Sequence, residues 1–244
     1  ADDVTGCDTG EECFATVACE FRDFGSATDN CYGALSSGEA VWRDNSLNGH
    51  DTIEPHGGDN PKLVMQTSPG SEYEMTGAVT AVVVYDPTLV AQPQTSSHIA
   101  SGEWDQSGQD AQLKVPLVSD SSNAQVSDTG SVSAILSTTD NCDGTQPVCD
   151  GDPRIFIVRR SGAVGTIDGY GTLDATGQPV SYGSVATGGM GTVILQSLLT
   201  RNTTEWAPTN FRLAEFILYK GTAISDLERD QLYQGLAVKY GLDQ

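Results

Sequence analysis

Two carboxylates at alternate positions of a strand point to one face, and a pair flanking a sugar bond about 5 Å apart or more is the usual machinery of glycoside hydrolysis. Glu103 and Asp105 have that spacing, with Trp104 between them. The third acidic position that a retaining glucanase would add is missing, since Ser107 stands there. The plain reading of Gly102 to Ser107 is a strand end running into a solvated acidic turn, with a sugar contact second. No Ser, His and Asp are spaced as a nucleophile, its base and an orienting acid. His50, His56 and His98 have no obvious partners in the sequence.

A second constellation is Asp140-Asn141-Cys142-Asp143-Gly144, continuing to Cys149-Asp150-Gly151-Asp152. Carboxylates at short intervals with glycines between them suit an oxygen-liganded cation such as Ca2+, the one cofactor the sequence offers. Asp140, Asp143, Asp150 and Asp152 are the candidate ligands. The spacing is not that of a twelve-residue EF-hand loop. A disulfide-closed acidic loop without metal is the competing reading.

Aromatic rings are platforms for the apolar side of a pyranose, flanked by polar groups that hold its hydroxyls. Trp104, Tyr170, Tyr182 and Trp206 fall at expected loops or strand ends, whereas Trp42 and Tyr219 are expected in the core. Glu205-Trp206 and Asp168-Gly169-Tyr170 are the best loop candidates for ligand contact, beside Glu103, Trp104 and Asp105. Any one aromatic is more often packing than platform.

The 33 acidic residues outnumber 12 basic ones, giving a net charge of -21 over 244 residues. That balance disfavours nucleic acid and anionic membrane surfaces as partners. It fits a solvated surface first, then calcium binding or a salty medium. The six cysteines are Cys7, Cys13, Cys19, Cys31, Cys142 and Cys149. They are not spaced as zinc ligands, so disulfides in an oxidising, extracellular or cell-surface compartment are expected. Cys142 and Cys149 are expected to pair locally, and the four N-terminal cysteines among themselves in an undetermined pattern. No run approaches the 18 or so apolar residues that a membrane-spanning helix needs. The Ala1-Asp2-Asp3 start is what a mature chain looks like after leader cleavage, and Asn202-Thr203-Thr204 is a glycosylation sequon.

These residues need a scaffold, and the punctuation of the chain describes one. Short apolar runs separated by Gly, Pro, Asp, Asn and Ser predict strands over 62–66, 78–85, 97–104, 111–118, 131–137, 154–160, 163–167, 180–186, 191–199 and 212–219, with one more near 15–21. Asn48-Gly49 predicts a tight turn with positive φ. Gly188-Gly189-Met190-Gly191 is a flexible turn without the spacing of a nucleotide site. One helix closes the pattern. Ser225 and Glu228 form a capping box, Leu232, Leu236 and Tyr240 make an apolar stripe beside Tyr233 and Ala237, and Gly241 stops it after Lys239.

The two ends of the chain carry a resemblance. Ala214-Glu215-Phe216-Ile217-Leu218-Tyr219, then Ser225, Glu228, Arg229 and Leu236-Ala237 to Lys239-Tyr240-Gly241-Leu242, resemble the closing strand and helix of secreted bacterial laminin-G-like, concanavalin A-like lectin and glucanase domains. Trp42, Asp44, Ser46, Asn48, Gly49 and Asp51 resemble an early segment of the same family. The resemblance implies an all-β, two-sheet antiparallel jelly-roll sandwich with one short C-terminal helix. It would form a single domain over 1–244, with a disulfide-pinned cysteine-rich segment over 1–35. In that family the segment over 42–51 belongs to the sandwich edge, so its polar residues are expected to stabilise a turn rather than hold a ligand. The fold hosts lectins, hydrolases, lyases and adhesion modules, so it does not decide function. The jelly-roll polysaccharide-lyase motifs are absent as a set. The expectation is therefore a secreted non-catalytic module binding glycan or glycoprotein, possible calcium assistance included. A structural subunit meeting copies of itself in an appendage, surface layer or virion comes second, and a glycoside hydrolase or lyase third.

Overall fold

Two segments, Val79–Asp86 (VTAVVVYD) and Arg154–Arg160 (RIFIVRR), lack the in-out alternation of a half-exposed strand. Every residue in both is buried, so both faces of these strands are covered. The computed structural model describes residues 13–14, 21–22, 31–34, 39–56, 63–65, 74–86, 98–101, 112–114, 124–127, 133–136, 153–162, 165–173, 178–186, 193–194, 197–198 and 212–242. In chain order the strands are β1 (Cys13–Phe14), β2 (Phe21–Arg22), β3 (Cys31–Ala34), β4 (Glu39–Leu47), β5 (His50–His56), β6 (Leu63–Met65), β7 (Glu74–Met75), β8 (Val79–Asp86) and β9 (His98–Ser101). They continue with β10 (Gln112–Lys114), β11 (Ala124–Ser127), β12 (Ser133–Leu136), β13 (Arg154–Arg160), β14 (Thr166–Leu173), β15 (Pro179–Ala186), β16 (Val193–Ile194), β17 (Ser197–Leu198) and β18 (Arg212–Lys220). The helix α1 (Asp226–Tyr240) follows.

One eight-stranded sheet has the order β1-β4-β5-β18-β8-β13-β14-β15, and a second has the order β12-β11-β10-β9-β17-β6-β3-β2. The strand pairs are antiparallel, as in β8 against β13 and β18. The chain is thus mostly antiparallel β-sheet with one short C-terminal helix. The second sheet comes close to the first at β12, against β14 and β15.

The helix lies on the first sheet. Tyr233, Leu236, Ala237 and Tyr240 pack against Val82 and Val84 of β8 and Ile155 and Ile157 of β13, with Ala214, Ile217 and Tyr219 of β18 alongside. Each large apolar side chain buried there contributes about 2 kcal/mol. Val83, Tyr85, Phe156 and Val158 point the other way and are buried too, which accounts for the unbroken apolar runs. The capping box forms as expected: Ser225 Oγ accepts from the Glu228 amide, and Glu228 accepts from the Ser225 amide. Gly241 ends the helix in the left-handed region, with φ 63°.

The β4–β5 hairpin turns at Asn48 and Gly49, whose φ values of 50° and 85° are both positive. That is the two-residue turn an Asn-Gly pair favours. An irregularity in pairing between Arg43 and Leu47 precedes it. There Asn45 also takes a positive φ of 51°, and its amide donates to Asp51 Oδ1 at 3.0 Å.

Several expectations need correction. The strand expected over 163–167 starts at Thr166 and runs on to Leu173, through Gly169 and Gly171. Pairing irregularities against β15 fall at both glycines and absorb their local geometry. The stretch over 191–199 divides between β16, which pairs with β7, and β17, which pairs with β6 and β9. Near the N-terminus, β1 and β2 are described, and of the strand expected near 15–21 all but Phe21 lies outside the described residues. The whole hairpin over 39–56 was foreseen only at its turn.

Candidate functional site

Among the candidate contact residues singled out from sequence, Asp168 and Tyr170 are the ones whose side chains the structure describes. Glu103, Trp104, Asp105, Trp206, Asp140, Asp143, Asp150, Asp152, Cys7, Cys19, Cys142 and Cys149 lie outside the described residues. Cys13 and Cys31 lie in β1 and β3, and their side chains are likewise outside the description. Among the described residues no group of three or more His, Cys, Asp or Glu is placed to hold a metal. Among them also, no helix is long and apolar enough to cross a membrane.

Tyr170 does not stand in a loop. It is inside β14, two positions from Asp168, so both side chains face the same way. Arg159 of β13 is the direct cross-strand neighbour of Asp168. Its guanidinium grips the carboxylate with two bonds, Nε to Oδ1 at 3.2 Å and Nη2 to Oδ2 at 2.5 Å. Arg159 also donates to the Ile224 carbonyl at 2.8 Å and to the Tyr170 hydroxyl at 3.1 Å. Its Nη2 lies 2.8 Å from Asp226, the first residue of the helix. The Tyr170 hydroxyl in turn donates to Asp168 Oδ2 at 2.9 Å. Arg229 places its guanidinium carbon 3.9 Å from the centre of the Tyr170 ring, within cation–π range. Arg229 is itself held by Asp226 and Asp230.

The opposite end of the helix is fixed in a similar manner. Glu215 Oε2 accepts from Lys239 Nζ at 2.8 Å and from the Tyr240 hydroxyl at 2.9 Å. The His50 ring lies 4.7 Å from that of Tyr240. Asn48 Nδ2 donates to the Tyr240 carbonyl at 2.6 Å, joining residues 192 positions apart. The early and late segments that carry the family resemblance therefore touch, and the hairpin turn caps the helix.

The electrostatics of both ends are those of structural ion pairs and hydrogen bonds. Burial disfavours charge on Arg159, yet hydrogen bonds to Asp168 and Asp226 outweigh it and hold the guanidinium more firmly protonated. Burial, then the bond to Asp168, raises the Tyr170 phenol above its ordinary value. Burial, with the Glu215 charge, pushes Tyr240 up to about 12. Burial works against the charge on Lys239, but the bond to Glu215 prevails and raises it. The bond from Arg159 lowers Asp226, and the Ser225 amide lowers Glu228. Each of these shifts moves its group further from neutral pH. A general acid or base needs the reverse, a value drawn toward the working pH. These two groups of side chains fasten the helix to the sheet.

The sequence reading named Asp168 and Tyr170 but overlooked Arg159, which joins them. The available signal was the pair of arginines ending an apolar strand, followed by Asp and Tyr at i and i+2 on the next strand.

No protein-family model matches the chain, and no curated protein matches it either. Solved structures share its fold. The binding domain of Paraclostridial Mosquitocidal Protein 1 aligns with 91% of this chain at TM-score 0.60 and 12% identity. The botulinum neurotoxin serotype G binding domain aligns with 92% at TM-score 0.56 and 11% identity. The serotype D ligand binding domain, in complex with N-acetylneuraminic acid, aligns with 86% at TM-score 0.53 and 11% identity. The matches cover 51%, 50% and 47% of those chains, so this chain spans about half the length of the structures it resembles.

Proposed function

We propose that this chain is a secreted, non-catalytic recognition module of the concanavalin A-like, laminin-G-like jelly-roll type, and that it binds glycan or glycoprotein. The supporting observation is the fold shared over 91% of the chain with a toxin binding domain. A related domain is described with a bound sialic acid. Titratable groups stabilised in their resting charge states agree with a non-catalytic role. In this reading Trp104 and Trp206 supply stacking surfaces, while Glu103 and Asp105 accept hydrogen bonds from sugar hydroxyls. Tyr170 takes a lesser part, because its hydroxyl already serves Asp168 and Arg159. Asp140, Asp143, Asp150 and Asp152 are the proposed ligands for a Ca2+ that orders a neighbouring loop. Six cysteines support an oxidising location.

A glycan array probed with and without chelator tests the proposal. Binding that weakens about tenfold in Trp104→Ala or Trp206→Ala, with unchanged thermal stability, is the expected result; this corresponds to about 1.4 kcal/mol. Absence of binding to every glycan and glycoprotein, in both conditions, would overturn it.

A further inference from the structure

The net charge of the chain is -21, from 33 acidic and 12 basic residues. Several cations among the described residues are already engaged in ion pairs. Arg159 is committed to Asp168 and Asp226, and Arg229 to Asp226 and Asp230. Arg212 faces Asp86 and Lys239 faces Glu215. Arg154 and Arg160 are buried in β13.

Scale decides what that surplus does. A fold of this length has a radius of gyration of about 18 Å, whereas its unfolded chain extends to about 54 Å. In 0.01 M salt the Debye length is about 30 Å, longer than the folded radius, so folding gathers like charges that still repel one another. At 0.15 M the screening length is about 8 Å, and most of that repulsion disappears. Compaction against a large net charge carries a cost that screening removes.

We infer that the folded state is opposed by its own negative charge and reaches full stability only in an ionic medium, with monovalent cations of any kind sufficing. The inference does not depend on glycan binding. Its test is the thermal midpoint of the 244-residue chain, followed by circular dichroism from 0.01 to 1 M NaCl, KCl and choline chloride, all with EDTA present. The expected result is a rise of about 5 °C or more, mostly complete by about 0.15 M and alike in the three salts. A flat or falling midpoint overturns the inference. So does a rise that requires added CaCl2, which would mean a specific site. A rise beginning only above about 0.5 M also overturns it, since exclusion of salt from the protein surface would then be the cause.

Discussion

Asn48 is the residue through which the first hairpin holds the last helix, and its replacement separates two physical contributions. The side chain donates to the Tyr240 carbonyl at 2.6 Å, while the backbone sits at φ 50°. Asn48→Gly removes the hydrogen bond, worth about 1 kcal/mol, but leaves the turn unstrained. Asn48→Ala removes the same bond and adds about 1–2 kcal/mol for a left-handed residue with a Cβ. Asn48→Asp keeps the tolerance for positive φ, but an acceptor then replaces the donor. It also sets an anion beside the negative end of the helix, for a total cost of about 2 kcal/mol. The expected order of stability is wild type, Gly, then Asp and Ala together. At about 2–4 °C per kcal/mol for a chain of this size, the Ala variant melts about 4–12 °C lower. Urea unfolding followed by circular dichroism gives the differences, and an unchanged m-value assigns them to the native state. If Asn48→Asp proves as stable as wild type, the donor has no role in holding the helix. Equal stability of the Gly and Ala variants would remove the backbone part of the reasoning.

The other expectations concern the two fastened ends of the helix. Ser225→Ala loses the capping box and is expected to cost about 1 kcal/mol, read from the urea midpoint. Arg159→Met leaves the largely buried Asp168 without its partner and is expected to cost about 3 kcal/mol; adding Asp168→Asn should recover part of that loss in a double-variant cycle. Tyr240 titrates at about 12 in the fold against 10.0 for an ordinary tyrosine. Its proton is thus held more tightly in the native state, so its stabilisation is complete below about pH 10 and is lost as pH rises through 12. Absorbance at 295 nm should show one late-titrating phenol that is missing from Tyr240→Phe.

The helix was fully legible in the sequence because its signals are local. Ser225, Glu228, the stripe from Leu232 to Tyr240 and Gly241 all lie within one short segment. The Asn48-Gly49 turn was legible for the same reason. The strands flanking it were not, since Arg43 to Ser46 is polar and does not alternate. The glycines of β14 speak against a strand by propensity, yet pairing with both β13 and β15 imposes one. Arg159 was illegible as a fastening residue because its partners come from β14, the segment before the helix and the helix itself. Tyr170 was read as a loop platform when it is a strand residue beneath Arg229.

One topological fact bears on how the protein is made. The strand β18, near the end of the chain, lies in the interior of its sheet between β5 and β8. A ribosome delivers the sequence in order, so β5 and β8 emerge as open edges long before the strand that joins them exists. The first sheet cannot close until residues 212–220 have been made. A nascent chain arrested before residue 212 should therefore remain protease-sensitive, while one that includes β18 and the helix should gain protection in a single step.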